Sequence, residues 1–475
     1  MIASLGKDTL IYGSSDILIK LITFFTFPLI AAALTPSSFG VLELITTLIG
    51  LLGLFMNCGL NNALHRFYWD TEENDLQKNT LVTTGIVMQA IFWLLIAGSI
   101  LMAYPLIAGF IDFKAYGFTQ TAIVSAVFLI FVIQASQYIQ DVIRLHFKPL
   151  LFLLFNFLSR ALTAIAGLIA VVFLAKGIDG LLAAQVLIGL SVLPLGLFLI
   201  RRDLGTAIDI KTAKTIFQYG YPFIFMGLAY WLFSSMDRWM LSSLSSLEET
   251  GQYSVAFRFS SLVLLLSSAF GQAWSPYAIK MKTEEPNTYR KMYADVLMLL
   301  LFAMLVAGGG LALFSGEIIG LIMPDDYRAS AVPFAILCFA IILQSTQQIT
   351  ASGISLERKT HILAYVTWAA AAFNLIGNAL LIPPLGAIGA SISTLLSYLF
   401  ITSGYLYFTQ KLHTLPIPWI KLALISALGL AVLCVSIVYN TDRLSVHIIL
   451  GKIFFALTCL GAGYWIFPLK RVFKP

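Results

Sequence analysis

Charge is what this sequence has least of. Asp, Glu, Lys and Arg make up 11% of its 475 residues, 59% are hydrophobic, and the mean hydropathy is +0.90. A soluble domain carries about 25% charged residues. This chain has too few to cover itself against water, which excludes an ordinary soluble fold and requires lipid as solvent. Cysteine is scarce too. Cys58, Cys338, Cys434 and Cys459 each stand alone in an apolar run, without metal or disulfide spacing, and read as small buried apolar residues. There is no Gly-rich phosphate loop, no histidine pair at metal spacing and no Gly-x-Ser-x-Gly elbow. The chemistry therefore implies no metal, no cofactor and no built-in ATPase. The net charge of +6 comes from short clusters at segment ends, so nucleic acid is not an expected partner.

Apolar sequence of membrane length is what the chain has in abundance. A spanning helix needs roughly 20 apolar residues. The pattern predicts spans near 9–33, 38–64, 79–104, 118–142, 149–174, 178–200, 215–244, 250–276, 290–314, 331–352, 360–382, 386–410, 418–439 and 446–468. The first is too long for the apolar core of a cleavable signal and reads as a spanning helix. Lys and Arg set the orientation. With the N-terminus inside, twenty of the 29 basic residues lie on the cytoplasmic side and four (Lys114, Lys176, Arg328 and Arg443) outside. One missed or extra helix would scramble that split, so it supports fourteen crossings and cytoplasmic termini. The outer loops are short, which counts against a membrane enzyme with a soluble catalytic domain.

The chain repeats itself at an offset of about 210 residues. Thr35-Pro36-Ser37-Ser38-Phe39-Gly40 starts the second segment and Ser246-Leu247-Glu248-Glu249-Thr250-Gly251 the eighth, with the glycines 211 apart. Gln134-Ala135-Ser136-Gln137 matches Gln344-Ser345-Thr346-Gln347, Lys148 matches Lys359, and Gly177-Ile178-Asp179-Gly180 matches Gly386-Ala387-Ile388-Gly389. A six-helix unit has an even number of crossings, so the halves are parallel, and repeats of this kind enclose a substrate site. The expected divisions are 1–205 and 206–412 as six-helix bundles, with 413–475 as two extra helices. The expected fold is all-α, polytopic, with about fourteen spans around a central cavity.

Polar residues inside the spans fall into stripes. The eighth segment carries Ser254, Arg258, Ser261, Ser268, Gln272 and Ser275 on one helical face, and the second carries Glu43, Thr47, Gly50, Asn57 and Asn61, with His65 below. Asn156, Arg160 and Thr163 mark the fifth segment, and Thr367, Asn374 and Asn378 the eleventh. Each Ser or Asn reads either as interhelical bonding or as cavity lining. Intramembrane cations are costlier and face a partner or a cavity. Lys20, Arg160, Arg238 and Arg258 are such cations. Asp16 is placed to pair with Lys20 and Asp237 with Arg258, while Arg160 has no evident partner on its own helix. Lys452 lies near enough to the outer end to snorkel. Substrate-binding candidates are Lys20, Arg160, Arg238, Arg258, Asn57, Asn61 and Gln272. Ion-coupling candidates are Asp16, Glu43 and Asp237, with a proton or sodium as counter-ion. Pro28, Pro222 and Gly308-Gly309-Gly310 mark helices that bend, as static kinks or as hinges.

The seventh and eighth segments carry Ser235-Met236-Asp237-Arg238-Trp239-Met240-Leu241 and then Gly251-Gln252-Tyr253-Ser254-Val255-Ala256. Here, and at Leu34–Gly40, the chain resembles the Wzx-type oligosaccharide flippases, the polysaccharide transporters of the MOP superfamily. These typically show an Asp-Arg pair followed by Gly-x-Tyr-Ser-x-Ala. The resemblance covers essentially the whole chain and implies a V-shaped pair of six-helix bundles with two extra helices. It also implies flipping of an undecaprenyl-diphosphate-linked oligosaccharide, an O-antigen or exopolysaccharide repeat unit, to the outer leaflet of a bacterial inner membrane. Membrane lipid and a polysaccharide polymerase are then expected partners. The alternative from the same superfamily is a cation-coupled drug or metabolite antiporter.

Overall fold

A computed structural model describes residues 21–69, 75–107, 117–146, 148–285, 288–357, 359–440 and 445–466. Among them there is no strand. The helices are α1 (Leu21–Ala32), α2 (Pro36–Asn57), α3 (Leu60–Phe67), α4 (Asp75–Ile107), α5 (Gln120–Leu145), α6 (Pro149–Leu168, followed by a π-helical turn), α7 (Gly177–Leu199), α8 (Ile210–Gly220) and α9 (Pro222–Leu244). They continue as α10 (Leu247–Ser260), α11 (Leu262–Glu284), α12 (Tyr289–Leu313), α13 (Ser315–Ile322), α14 (Ala331–Thr350), α15 (Ser352–Leu356), α16 (Thr360–Leu412), α17 (Trp419–Val438) and α18 (Val446–Ile466).

Every predicted span has a described helix within it. Ten helices are long and apolar enough to cross a membrane alone, and α10 with α11 forms one further span bent by 41°. The 53-residue α16 is two spans. At 1.5 Å per residue it would reach about 80 Å, far beyond a hydrocarbon core of about 30 Å. It folds back at Gly386 (φ 55°, ψ −132°). Its arms then pair antiparallel: Thr367 Oγ1 meets the Tyr405 hydroxyl at 2.8 Å, the Ser393 hydroxyl donates to the Asn374 carbonyl at 3.1 Å, and the Phe373 and Phe400 rings stack at 5.3 Å. With α1 and α9 added, the architecture is the expected one of about fourteen spans.

The chain divides into two compact units, Met1–Leu232 and Phe233–Pro475. In the first, α5 packs against α2, α4, α6 and α7; in the second, α14 packs against α10, α12 and the α16 hairpin. Shifting the first set by about 210 residues gives the second. The local signals recur at the same offset. Thr35 and Ser246, 211 apart, are both N-caps whose hydroxyls accept from the backbone N–H three residues on. Lys148 and Lys359 occupy the N-cap positions of α6 and α16. Gly177 and Gly386 both adopt positive φ, at 58° and 55°.

Several details differ from expectation. Lys452 does not snorkel. It is 3% exposed, with Nζ 2.6 and 2.8 Å from the two carboxylate oxygens of Glu317 on α13. The helix α12 is continuous through Gly308-Gly309-Gly310. A Cβ on Gly308 would lie 2.9 Å from Ile342, so the glycine lets α12 approach α14. As expected, Pro222 interrupts the span predicted over 215–244: α8 ends at Gly220 and α9 starts at Pro222, where a residue without an N–H suits a helix N-terminus. Of the cysteines, Cys58 and Cys338 are buried, but Cys434 is exposed and Cys459 half-buried. They lie on α17 and α18, whose spans are only 17% buried; an apolar helix face there meets lipid rather than protein.

Candidate functional site

The candidate residues separate into hydrogen-bonded clusters and a cavity, each within one unit. In the first unit, Asn57 and Asn61 sit one turn apart across the α2–α3 break, where Cys58 and Gly59 both take left-handed φ. Asn57 Nδ2 donates to Asn61 Oδ1 at 2.9 Å and to Gln134 Oε1 at 3.1 Å; Asn61 Nδ2 donates to Asp141 Oδ2 at 2.7 Å. Asp141 is 3% exposed and lies 3.5 Å from both His65 Nε2 and Arg144 Nη1. Gln134 and Asp141 are two turns apart on α5, so the stripe of α2 and α3 finds a matching stripe there. This is the interhelical-bonding alternative for both asparagines. Asp141 escaped the sequence reading because it lies at the very end of its predicted span, where an acidic residue looks like an ordinary helix boundary.

Arg160 does have a partner on its own helix, since its Nε donates to Asn156 Oδ1 at 3.0 Å, one turn back. The guanidinium is exposed and opens into a cavity of about 250 Å³ lined by polar side chains of α5, α6 and α7.

In the second unit, Asp237 is the hub. It is 2% exposed, and its carboxylate accepts from the Tyr253 hydroxyl at 2.6 Å, Thr394 Oγ1 at 3.0 Å and Asn378 Nδ2 at 2.6 Å. Asn378 also donates to Asn374 Oδ1 at 3.1 Å. The expected pairing with Arg258 is not made. Three neutral donors, from α10 and both arms of the α16 hairpin, hold the charge instead, which is how a buried carboxylate is stabilised without a counter-ion. Arg238 is buried as well; Nη1 donates to the Ser234 carbonyl at 2.9 Å and the guanidinium lies 4.7 Å from the Phe257 ring centre. The two motifs that carried the resemblance therefore meet: Asp237 from the Asp-Arg pair and Tyr253 from the Gly-x-Tyr-Ser stretch share a hydrogen bond. Thr394 was missed, being one hydroxyl among many in an apolar run.

Glu43 is buried on α2, and Arg258 is half-buried on α10. Asp16 and Lys20 lie outside the described residues. Gln272 lies on α11, with its side chain outside the described set. No group of three or more His, Cys, Asp or Glu suited to a metal occurs among the described residues.

The family model described as polysaccharide biosynthesis protein matches residues 5–282, more than half of the sequence. The chain belongs to that family. It is 23% identical over 385 residues to the probable low-salt glycan biosynthesis flippase Agl15 of Haloferax volcanii, covering 79% of this chain and 76% of the relative. Among solved structures, the lipid II flippase MurJ in an inward closed conformation superposes with a TM-score of 0.73 at 15% identity, covering 96% of this chain and 99% of that one. An inward-facing multidrug resistance MATE family transporter of the MOP superfamily gives 0.61 at 14% identity, covering 87% and 99%. At such identities the structures establish the fold. The family expected from the sequence is therefore shown by the family model, and the all-helical, multi-span fold expected from it by the superpositions.

Proposed function

We propose that this chain flips an undecaprenyl-diphosphate-linked oligosaccharide, an O-antigen or exopolysaccharide repeat unit, from the cytoplasmic to the outer leaflet of a bacterial inner membrane by alternating access. Both termini lie in the cytoplasm on this reading. The observation that carries it is Arg160, a cation on a spanning helix that opens into a cavity where Ser136, Gln137, Gln140, Ser159, Thr163 and Gln185 stand beside the apolar Leu129, Val132 and Ile133. A drug pocket is mostly apolar and aromatic with few polar groups. A cationic, amide-lined recess suits an anionic substrate rich in hydroxyls. Each such hydroxyl would cost about 1–3 kcal/mol if buried without a partner. Lys20, Arg238 and Arg258 add positive charge for the headgroup and Gln272 an amide, while Asn57 and Asn61 would serve by exchanging Gln134 and Asp141 for substrate hydroxyls.

Asp237 is the ion-coupling group on this reading, ahead of Asp16 and Glu43. A proton or sodium ion at its carboxylate would compete with Tyr253, Asn378 and Thr394, so ion binding would be felt at once by α9, α10 and the α16 hairpin.

The test is surface polysaccharide in a host lacking its own flippase. Arg160→Ala and Arg258→Ala should abolish surface polymer while the protein still inserts at normal levels. Wild-type polymer in both variants would overturn the proposal.

A further inference from the structure

We infer that the cavity bounded by α5, α6 and α7 is a subsite for one uronic-acid-class sugar residue of the glycan. The identity of this ligand rests on the flippase reading above; the existence of the site rests on the geometry alone.

The cavity, of about 250 Å³, lies wholly within the first unit. A single water needs only about 10–15 Å³ of such space, so the volume suits one sugar ring rather than a chain of them. Ser136, Gln137 and Gln140 line it from α5, Arg160 from α6 and Gln185 from α7. Among the described residues, the side chains of Ser136, Gln137, Gln140 and Gln185 make no hydrogen bond to protein. Gln140 is 3% exposed. Ser136, Gln137 and Gln185 are half-buried, and four polar groups facing one recess with their bonding capacity unused within the protein can bond a ligand there.

Arg160 supplies the charge. Its Nε is fixed on Asn156, which orients the plane of the guanidinium, and neither terminal nitrogen bonds to a described residue. A fork held this way matches both oxygens of a carboxylate. It is the sole charged residue among the described residues of the lining. One cation balances one carboxylate, whereas a diphosphate would remain under-compensated. The amides can both donate and accept, which is what ring hydroxyls require and what a phosphate, an acceptor only, does not.

The internal repeat supplies a control. At the 211 offset Ser159 and Arg160 fall on Ala370 and Ala371, both buried in an apolar cluster with Phe233 and Tyr398. Thr163 falls on Asn374, and at 209 Gln185 falls on Thr394, both members of the Asp237 cluster. The second unit fills this place with its own side chains. The recess thus belongs to this half and is not a default of the six-helix fold.

The test uses the full chain in lipid nanodiscs and saturation-transfer NMR with methyl β-glucuronoside as probe. Wild type should bind it. Arg160→Gln should weaken binding at least about tenfold, the loss expected for a charge-assisted pair. Arg160→Lys, which keeps the charge but not the fork, should fall between. Gln185→Leu leaves the cation in place and should also weaken binding, so the proposal does not depend on one variant folding. Methyl β-glucoside and inorganic pyrophosphate should compete poorly. No uronide signal in wild type, a signal indifferent to both Arg160→Gln and Gln185→Leu, or displacement by pyrophosphate alone would overturn the subsite. Vesicle flipping of the lipid-linked glycan separates the two readings. Flipping with no Arg160-dependent uronide binding sinks only the subsite, and Arg160-dependent binding with no flipping sinks only the flippase.

Discussion

Lys452 and Glu317 form an ion pair that a composition argument would not place inside a protein. Nζ sits 2.6 and 2.8 Å from the two carboxylate oxygens, and the residues are 3% and 6% exposed. The pair ties α18 to α13. The spans of α17 and α18 are only 17% buried, and they pack on α12 and α14 through apolar contacts such as Gly429 against Leu305 and Gly463 against Phe302; Asn440 Nδ2 to Ser315 Oγ at 3.0 Å adds a polar tie. Lys452→Met leaves a carboxylate buried without its partner. Removing one member of a buried pair costs about 3–5 kcal/mol. Replacing both by apolar groups of similar volume is close to neutral or even stabilising, by about 1–4 kcal/mol. The double variant Glu317→Leu with Lys452→Met should therefore recover most of what either single change loses. The measurement is denaturant unfolding in detergent, followed by tryptophan fluorescence, on all four corners of the cycle. Two mild and additive single changes would refute the reasoning, since they would mean that both charges already reach water or lipid headgroups.

Two further outcomes are expected. Gly386→Ala should destabilise by about 1–3 kcal/mol, and by more than Gly177→Ala. Both positions have positive φ, but a Cβ at 386 would also lie 2.6 Å from Glu249 Oε2, which accepts the Ala387 N–H at 2.7 Å, whereas nothing lies within 4 Å at 177. Unfolding midpoints of the two variants decide this. His413, just beyond α16, is 3% exposed, and its pKa is held below the usual 6.5 by burial and then by Arg290 and Lys282, against a smaller opposing pull from Glu357. The folded state then binds fewer protons than the unfolded one, so stability should fall as pH drops below about 6.5. The slope should flatten in His413→Gln, and an unchanged slope would count against the assignment.

The fold was legible because its determinants are local and repeated. Thr35 and Ser246 are N-caps by chemistry, Gly177 and Gly386 are turns by φ, and the apolar lengths between them match a bilayer. The repeat made each weak signal count twice. Bends were less legible. Of the triple glycine in α12, Gly308 serves close packing on Ile342, while the 41° bend between α10 and α11 carries neither Pro nor Gly at Ser261. Long-range pairings were least legible. Glu317 and Lys452 are 135 residues apart, and Asp237 and Thr394 are 157 apart, so no periodicity on either helix could announce the partner.

The stripes were left open between interhelical bonding and cavity lining, and the structure shows both uses of polar side chains, on partly different residues. A polar residue's type and spacing say that it points along a face; they do not say whether its bonds are already made. Asn57, Asn61 and Asn378 have theirs made within the bundle, to Gln134, Asp141 and Asp237. Ser136, Gln137, Gln140 and Gln185 bond to no described residue. The sign of the charge follows the same division. The carboxyl group of the second unit, Asp237, is already bonded by three neutral donors of its own protein, which a coupling ion would have to displace. The cation of the first unit, Arg160, is held at one nitrogen and presents the rest of its fork to a polar recess. In a medium where an unpaired cation costs about 2.5–3.5 kcal/mol even by insertion measurements, that asymmetry favours an anionic ligand supplied from outside the bundle. Under the proposed flippase function, such an arrangement would supply a favourable interaction that exists only while the cargo is aboard and is lost when it leaves.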